Sequence, residues 1–146
     1  MKSEPDTYSI ENLKNDKTTL WNGVRNYQAR NIMRDQMQVG DEILFYHSNS
    51  DPSGIAGLAT VCARAVPDPS QFDPKSKYYD NKATPEFPRW FCVEVQYKST
   101  LKKLIPLSEL KTNPKLKDML VVQKGQRLSV QPVLAEHFQL VLQMAK

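Results

Sequence analysis

The stretch Trp21-Asn22-Gly23-Val24-Arg25-Asn26-Tyr27-Gln28-Ala29-Arg30-Asn31 gathers two aromatic rings, two guanidinium groups, three asparagine amides and a glutamine amide into eleven residues. A helix that only packs shows a cleaner apolar stripe and a Lys/Glu outer face. Planar cations and amides beside an indole suit a flat ligand with hydrogen-bonding edges. Nucleobases fit that description, because they stack on aromatic or guanidinium planes and bond through their edges. The implied chemistry is non-covalent reading of a base. Catalytic patterns are sparse. His47 and His137 are the only histidines. His47 and Ser48 are neighbours on a predicted strand and point to opposite faces, a poor arrangement for a Ser–His pair. No zinc spacing, phosphate-binding loop or dinucleotide fingerprint occurs, so no metal, no cofactor and no enzymatic activity are expected.

Arg25 and Arg30 are five residues apart, so on one helix they diverge by about 140°. One is expected to brace a loop or pair with a carboxylate while the other meets a phosphate. Asn22 suits a helix cap, which leaves Asn26 as the candidate for reading a base edge. Trp21 follows a polar segment and precedes Asn22-Gly23, a setting that favours partial exposure and a stacking role worth ~1–3 kcal/mol per base. Trp90 begins a strand after a proline-rich loop and could sit at a barrel mouth. Core packing is the competing reading for each tryptophan. Lys2, Ser3 and Glu4 bring a cation, a hydroxyl and a carboxylate to the first residues. Arg127, Ser129 and Gln131 share one face of an alternating segment.

These groups must be positioned by a chain of 146 residues, 40% hydrophobic and 25% charged. That is enough for one domain, residues 1–146, with a core of its own. No apolar run approaches the ~20 residues needed to span a bilayer, and nothing resembles a signal peptide, so no membrane partner is expected. Cys62 and Cys92 lie in apolar strand-like runs and read as buried, unpaired thiols. A bacterial source would then imply a cytoplasmic address. The net charge is +4, unevenly spread. Val95 to Val130 holds eight basic and two acidic residues, whereas Met1 to Ala63 holds six and eight. A basic half suits a phosphate backbone, with a solvated lysine surface as the alternative.

Ser9 to Asn15 reads as a short helix capped by Ser9. Gly23 to Arg34 reads as a second helix, capped by Asn22. Glu42 to Ser48 is a predicted strand. Ile55 to Val66 is another, with Ile55, Gly57, Ala59, Val61, Ala63 and Ala65 on one face. Pro67 to Pro88 carries five prolines and is a long irregular loop of the kind that is often functional. Within it lies the tract Lys75-Ser76-Lys77-Tyr78-Tyr79-Asp80. Trp90 to Tyr97 is a clear strand, continued by Thr100 to Ile105. Pro106 to Leu110 and Pro114 to Leu120 are helical turns, Arg127 to Val130 a short strand, and Val133 to Ala145 an amphipathic helix. The class is α+β, read as a small mixed barrel with helices over its mouth.

The segments Met1-Lys-Ser-Glu-Pro-Asp6, Trp21 to Asn31, Gly40-Asp41, Phe45-Tyr-His-Ser48, Gly54-Ile-Ala-Gly57, Pro67-Asp-Pro69, Tyr79-Asp80, Pro88-Arg-Trp90 and Arg127-Leu-Ser-Val-Gln-Pro-Val133 together resemble the EVE domain family, in family order along nearly the whole chain. The resemblance implies a PUA-like fold, a twisted, mostly antiparallel β-barrel flanked by short helices. It implies a non-catalytic reader of modified bases in DNA, chiefly methylated or hydroxymethylated cytosine, flipped into an aromatic and polar pocket. It places Lys2, Ser3 and Glu4 at the pocket rim or floor, and Trp21 as a wall with Arg25 and Asn26 beside it. Tyr46, His47 and Ser48 come near the mouth, and Trp90, Arg127 and Ser129 close it. A monomer is expected, with a nuclear address if the source is eukaryotic. Two alternatives stand beside it. One is an RNA-binding module of the ordinary PUA type. The other is a hydrolase of acylated cytidine, which needs a Lys–Glu or Thr–Lys–Glu constellation that Lys2 and Glu4 supply in part.

Overall fold

The computed structural model describes residues 1–146. Helix α1 (Ile10–Asp16) begins where Ser9 allows it. The Ser9 hydroxyl accepts the Asn12 N–H at 3.1 Å, and the Asn12 side chain accepts the Ser9 N–H at 2.8 Å. This reciprocal cap satisfies two N–H groups that a helix start leaves free. The second helix departs from expectation. Asn26, not Asn22, is its cap, accepting the Ala29 N–H at 3.0 Å. Gly23 has φ +83°, a left-handed conformation that keeps residues before Asn26 out of the helix. Helix α2 (Tyr27–Asn31) then widens into a π turn over Ile32–Gln36, closed by Met37 N–H donating to the Ile32 carbonyl at 3.0 Å.

Five strands form one sheet in the order β1-β3-β4-β5-β2, comprising β1 (Lys2–Ser3), β2 (Thr18–Leu20), β3 (Glu42–His47), β4 (Gly54–Pro67) and β5 (Phe91–Pro106). β1 runs parallel to β3 and every other pairing is antiparallel. The expected barrel does not close. The strands that would have to pair to close it are β1 and β2, two and three residues long. The outer flank of β1 is used otherwise. Lys2 N–H donates to the Ser129 carbonyl at 2.8 Å. The Arg127–Val130 segment, expected as a strand, therefore contributes that bond without forming a ladder.

Each face of the sheet carries a core. Ile43 and Phe45 enter one, with Leu13, Met33, Val61, Val93 and Val95. Leu44 and Tyr46 enter the other, with Ile55, Ile105, Leu110, Leu116 and Val141. This explains why Ile43 to Tyr46 reads as an unbroken apolar run: β3 is covered on both sides. It also explains a correction in β4. Ile55 belongs to the second core, whereas Ala59 and Val61 belong to the first. Register shifts between Ile55 and Gly57 and between Leu58 and Ala59 break the single face expected for Ile55 to Ala65. An extra residue in a strand flips the side chains that follow it.

The second core is roofed by α3 (Leu107–Thr112), by short 3-10 turns and by α4 (Ala135–Met144). Cys92 is buried and Cys62 half-buried, both unpaired. The Cys62 thiol bonds to Glu94 at 3.4 Å, so it is less enclosed than expected.

Gly57 sets the approach of α1 to the sheet. A Cβ there would come within 2.6 Å of both the Ile10 side chain and the Ser99 carbonyl. Gly57→Ala is expected to lower stability by about 1–3 kcal/mol, the usual range for overpacking. Chemical denaturation checks this, and an unchanged midpoint would show that α1 shifts without strain.

Candidate nucleic-acid interface

The two edge strands of the open sheet line the same cavity. Lys2 and Ser3 of β1 and Thr19 and Leu20 of β2 face a space of ≈ 670 Å³. Gly23, Val24 and Arg25 form a further wall, and Lys77 and Tyr78 come from the long loop. Gln126, Arg127 and Ser129 approach from the segment beside β1. The cavity thus occupies the seam that a closed barrel would have zipped shut.

One carboxylate organises the wall. Asp68 is 1% exposed and caps the 3-10 turn Pro69–Phe72. Its Oδ2 accepts the Gly23 N–H at 2.7 Å and Arg25 Nη1 at 3.1 Å, and its Oδ1 accepts the Ser70 N–H at 2.8 Å. Burial by itself raises the Asp68 pKa. The bonds from Ser70, Gly23 and Arg25 outweigh it and hold the carboxyl below its usual range. Gln71, fully buried, completes the knot. Its Nε2 donates to the Asp68 and Trp90 carbonyls, both at 2.8 Å, while its Oε1 accepts the N–H groups of Arg89 at 2.9 Å and Trp90 at 3.0 Å. All four amide valences are used, and the long irregular loop is pinned to the start of β5.

Arg25 is therefore a brace. Besides Asp68, its guanidinium donates to the carbonyls of Val24 and Tyr78 and to the Ser70 hydroxyl, all within 3.1 Å. That leaves it no free donor for a phosphate. Gly23 lets Tyr78 close over this arrangement, since a Cβ at Gly23 would come within 2.6 Å of the Tyr78 ring. Arg25 precedes α2, so the helical divergence expected for Arg25 and Arg30 does not apply. Their guanidinium carbons lie 5.1 and 5.8 Å from the Trp90 ring centre.

Trp90 is 6% exposed and does not line the cavity. Tyr27 stacks on it at 4.8 Å and 15°, and its Nε1–H donates to Asp80 at 2.8 Å. Arg30 lies 4.6 Å from the Tyr27 ring centre and donates to the Arg89 carbonyl at 2.8 Å. Arg89 in turn bonds to the Tyr27 hydroxyl. This group forms a column outside the cavity and is not the mouth expected for Trp90.

Of the other candidates, Lys2, Ser3, Glu4, Trp21, Ser48, Arg127 and Ser129 line the cavity with Arg25. Asn26 does not, because its side chain is occupied as a cap. His47 is also occupied, as its Nε2 accepts the Ile10 N–H at 3.1 Å. Burial holds its pKa below 6.5, in keeping with a neutral acceptor. Tyr46 faces the opposite side of the sheet, against a second, mainly apolar cavity of ≈ 390 Å³. Trp21 is 8% exposed, edge-to-face with Phe45 at 5.5 Å, and so more buried than expected. Of the eight basic residues between Val95 and Val130, Arg127 alone lines the cavity. Asp68, Gln71, Lys77 and Tyr78 were not singled out from sequence. Their only signals were Pro67-Asp68-Pro69 and the Lys75–Asp80 tract.

The EVE domain model matches residues 1–144. The chain belongs to the EVE domain family. Human thymocyte nuclear protein 1 is 42% identical over 99% of this chain, which covers 72% of that protein. The chicken protein of the same name is 42% identical, and the chain spans 66% of its length. The crystal structure of a protein from Pseudomonas syringae superposes with a TM-score of 0.96 at 44% identity, covering 100% of this chain and 97% of the other. Human THYN1 protein in complex with 5-methylcytosine-containing DNA superposes with a TM-score of 0.93 at 42% identity, covering 100% and 95%.

In this EVE domain the Asp68 knot also makes a pH-dependent contribution to stability. The folded pKa of Asp68 lies below its unfolded value of about 3.9, so the contribution is complete above that value and is lost as pH falls through the depressed one. Asp68→Asn turns an amide N–H toward the Gly23 and Arg25 donors. It is expected to cost roughly 3 kcal/mol at neutral pH and to flatten the acid limb of the stability profile. Thermal melts from pH 7 to pH 2 check both, and parallel profiles for the two proteins would remove Asp68 from this role.

Proposed function

We propose that this chain is a non-catalytic reader of modified cytosine in DNA that holds the base, extruded from the duplex, in the cavity between β1 and β2. The observation that carries this reading is the make-up of that cavity. Its volume lies within the roughly 300–1,000 Å³ range of small-ligand sites. A buried indole lines it, Glu4 is its one carboxylate, and Lys2, Lys77 and Arg127 stand at it as cations beyond the braced Arg25. The similar human protein bound to methylcytosine DNA supports the same choice of ligand. Glu4 would accept from the exocyclic amine that distinguishes cytosine from thymine. The exposed Lys77 and Arg127 would meet the phosphates flanking the extruded nucleotide. A buried methyl group contributes about 0.8 kcal/mol. That is roughly fourfold in affinity, so stronger selectivity would come from shape.

The hydrolase alternative has its residue types in place, since Lys2, Glu4 and Thr19 line the cavity. They are not linked to each other. Lys2 Nζ donates to the Gln126 carbonyl at 3.3 Å and Thr19 to the Leu20 carbonyl at 3.4 Å, while Glu4 accepts from Asn49 at 3.4 Å. No chain of hydrogen bonds joins a base to a nucleophile, which supports binding without turnover.

Titration with matched oligonucleotides carrying cytosine, methylcytosine or hydroxymethylcytosine tests the reading. The expected result is at least fourfold preference for a modified base, with the ligand recovered unchanged. Glu4→Gln should reduce the preference for cytosine over thymine. A Lys77→Gln/Arg127→Gln double variant should weaken binding to all three alike and flatten its salt dependence by roughly one unit of slope per lost phosphate contact. Equal binding to all three, or preference for structured RNA, would overturn the proposal.

A further inference from the structure

Trp21 keeps a polar atom that the fold does not use. Its ring packs edge-to-face on Phe45, its backbone N–H donates to the Val93 carbonyl at 2.9 Å, and only 8% of its surface is exposed. Its indole Nε1–H meets no acceptor in the protein. No side-chain nitrogen or oxygen that is sealed from solvent lacks a partner. The Trp21 nitrogen is therefore not sealed in. The opening available to it is the ≈ 670 Å³ cavity that Trp21 lines. The contrast with Trp90 is direct, because that indole N–H is held by Asp80 at 2.8 Å. Buried tryptophans ordinarily find a partner for this group, and an unpaired one calls for a reason.

We infer that Trp21 recognises the extruded base through its N–H edge and does not act as a stacking wall. The indole donates to a ring-nitrogen or carbonyl acceptor on the base edge. This rests on the reading of the cavity as a base pocket. In cytosine these acceptors, N3 and O2, are not adjacent to C5, where methylation occurs. The Trp21 bond therefore adds affinity for the base without distinguishing its methylated form. A ligand with no acceptor at that position would cover the N–H and leave it unpaired, which disfavours such ligands.

Two measurements test this. In ¹H–¹⁵N spectra of the free protein, the Trp21 indole proton should exchange readily with water while that of Trp90, held by Asp80, should be protected. Saturation with methylcytosine oligonucleotide should shift the Trp21 indole resonance downfield and protect it, leaving that of Trp90 in place. Trp21→Phe keeps a ring but removes the donor. It should bind cytosine and methylcytosine oligonucleotides each about tenfold more weakly, with their ratio unchanged, as expected for one lost hydrogen bond. An indole resonance that stays put at saturation, or wild-type affinity in Trp21→Phe, overturns the donor role and leaves the reader proposal standing. A shifted Trp21 resonance with equal affinity for all three oligonucleotides supports the donor role and overturns reading of the modification. Absence of binding to any oligonucleotide overturns both. Because the resonance test uses the wild-type protein, it decides the matter even where the variant folds poorly.

Discussion

A single carboxylate, buried among backbone amides, holds one wall of the cavity together. An ionised Asp68 in a site cut off from water is costly unless its oxygens are fully engaged. The fold meets that requirement with N–H groups from Gly23 and Ser70, the Ser70 hydroxyl and the Arg25 guanidinium. Each partner is thereby fixed. Gly23 is held in a turn only glycine adopts easily, Arg25 is oriented to bridge Tyr78, and the loop after β4 is drawn against the segment before α2. The arginine that looked most suited to a phosphate is fully occupied inside the protein. In the proposed reading, recognition falls to the groups around it.

The second consequence concerns topology. Two very short edge strands leave the sheet open, and curvature brings those edges to either side of one cavity. In a closed barrel of this size the interior would be filled by side chains. Here the seam stays unzipped, and edge-strand residues, which sheets ordinarily protect from stray pairing, become cavity lining. Lys2, Ser3, Thr19 and Leu20 reach the cavity because they lie at the edges. The column of Tyr27, Trp90, Arg30 and Arg89 stands apart from this space and secures the loop and α2 from outside.

Legibility varied with the range of the interaction concerned. Ser9 was readable as a cap because its partner is three residues away. The core strands were readable because their patterns are local. Asn26 was harder. Asn22 and Asn26 are equally good caps by type, and the choice turned on Gly23 adopting a positive φ, which Asp68 imposes from a distance. The single face expected for β4 failed because register shifts depend on the neighbouring strand. Gln71 looked like one polar residue among many in an irregular loop, yet it makes four bonds that fix Trp90.

The sequence by itself determined the class of protein, the main elements, the EVE resemblance and the residue types gathered at the cavity. Those properties follow from composition, periodicity and short motifs, all written in neighbouring residues. Only the tertiary structure decided how the polar side chains divide their work. Arg25 became a brace, Asn26 a cap, His47 an acceptor for α1 and Trp90 a stacking partner outside the cavity. Of the two tryptophans, Trp21 lines the cavity and its indole N–H has no protein acceptor, whereas that of Trp90 is held by Asp80. The reason is physical. A polar side chain has few hydrogen-bonding valences, and whether they remain free for a ligand depends on partners distant in the chain that meet them only after folding.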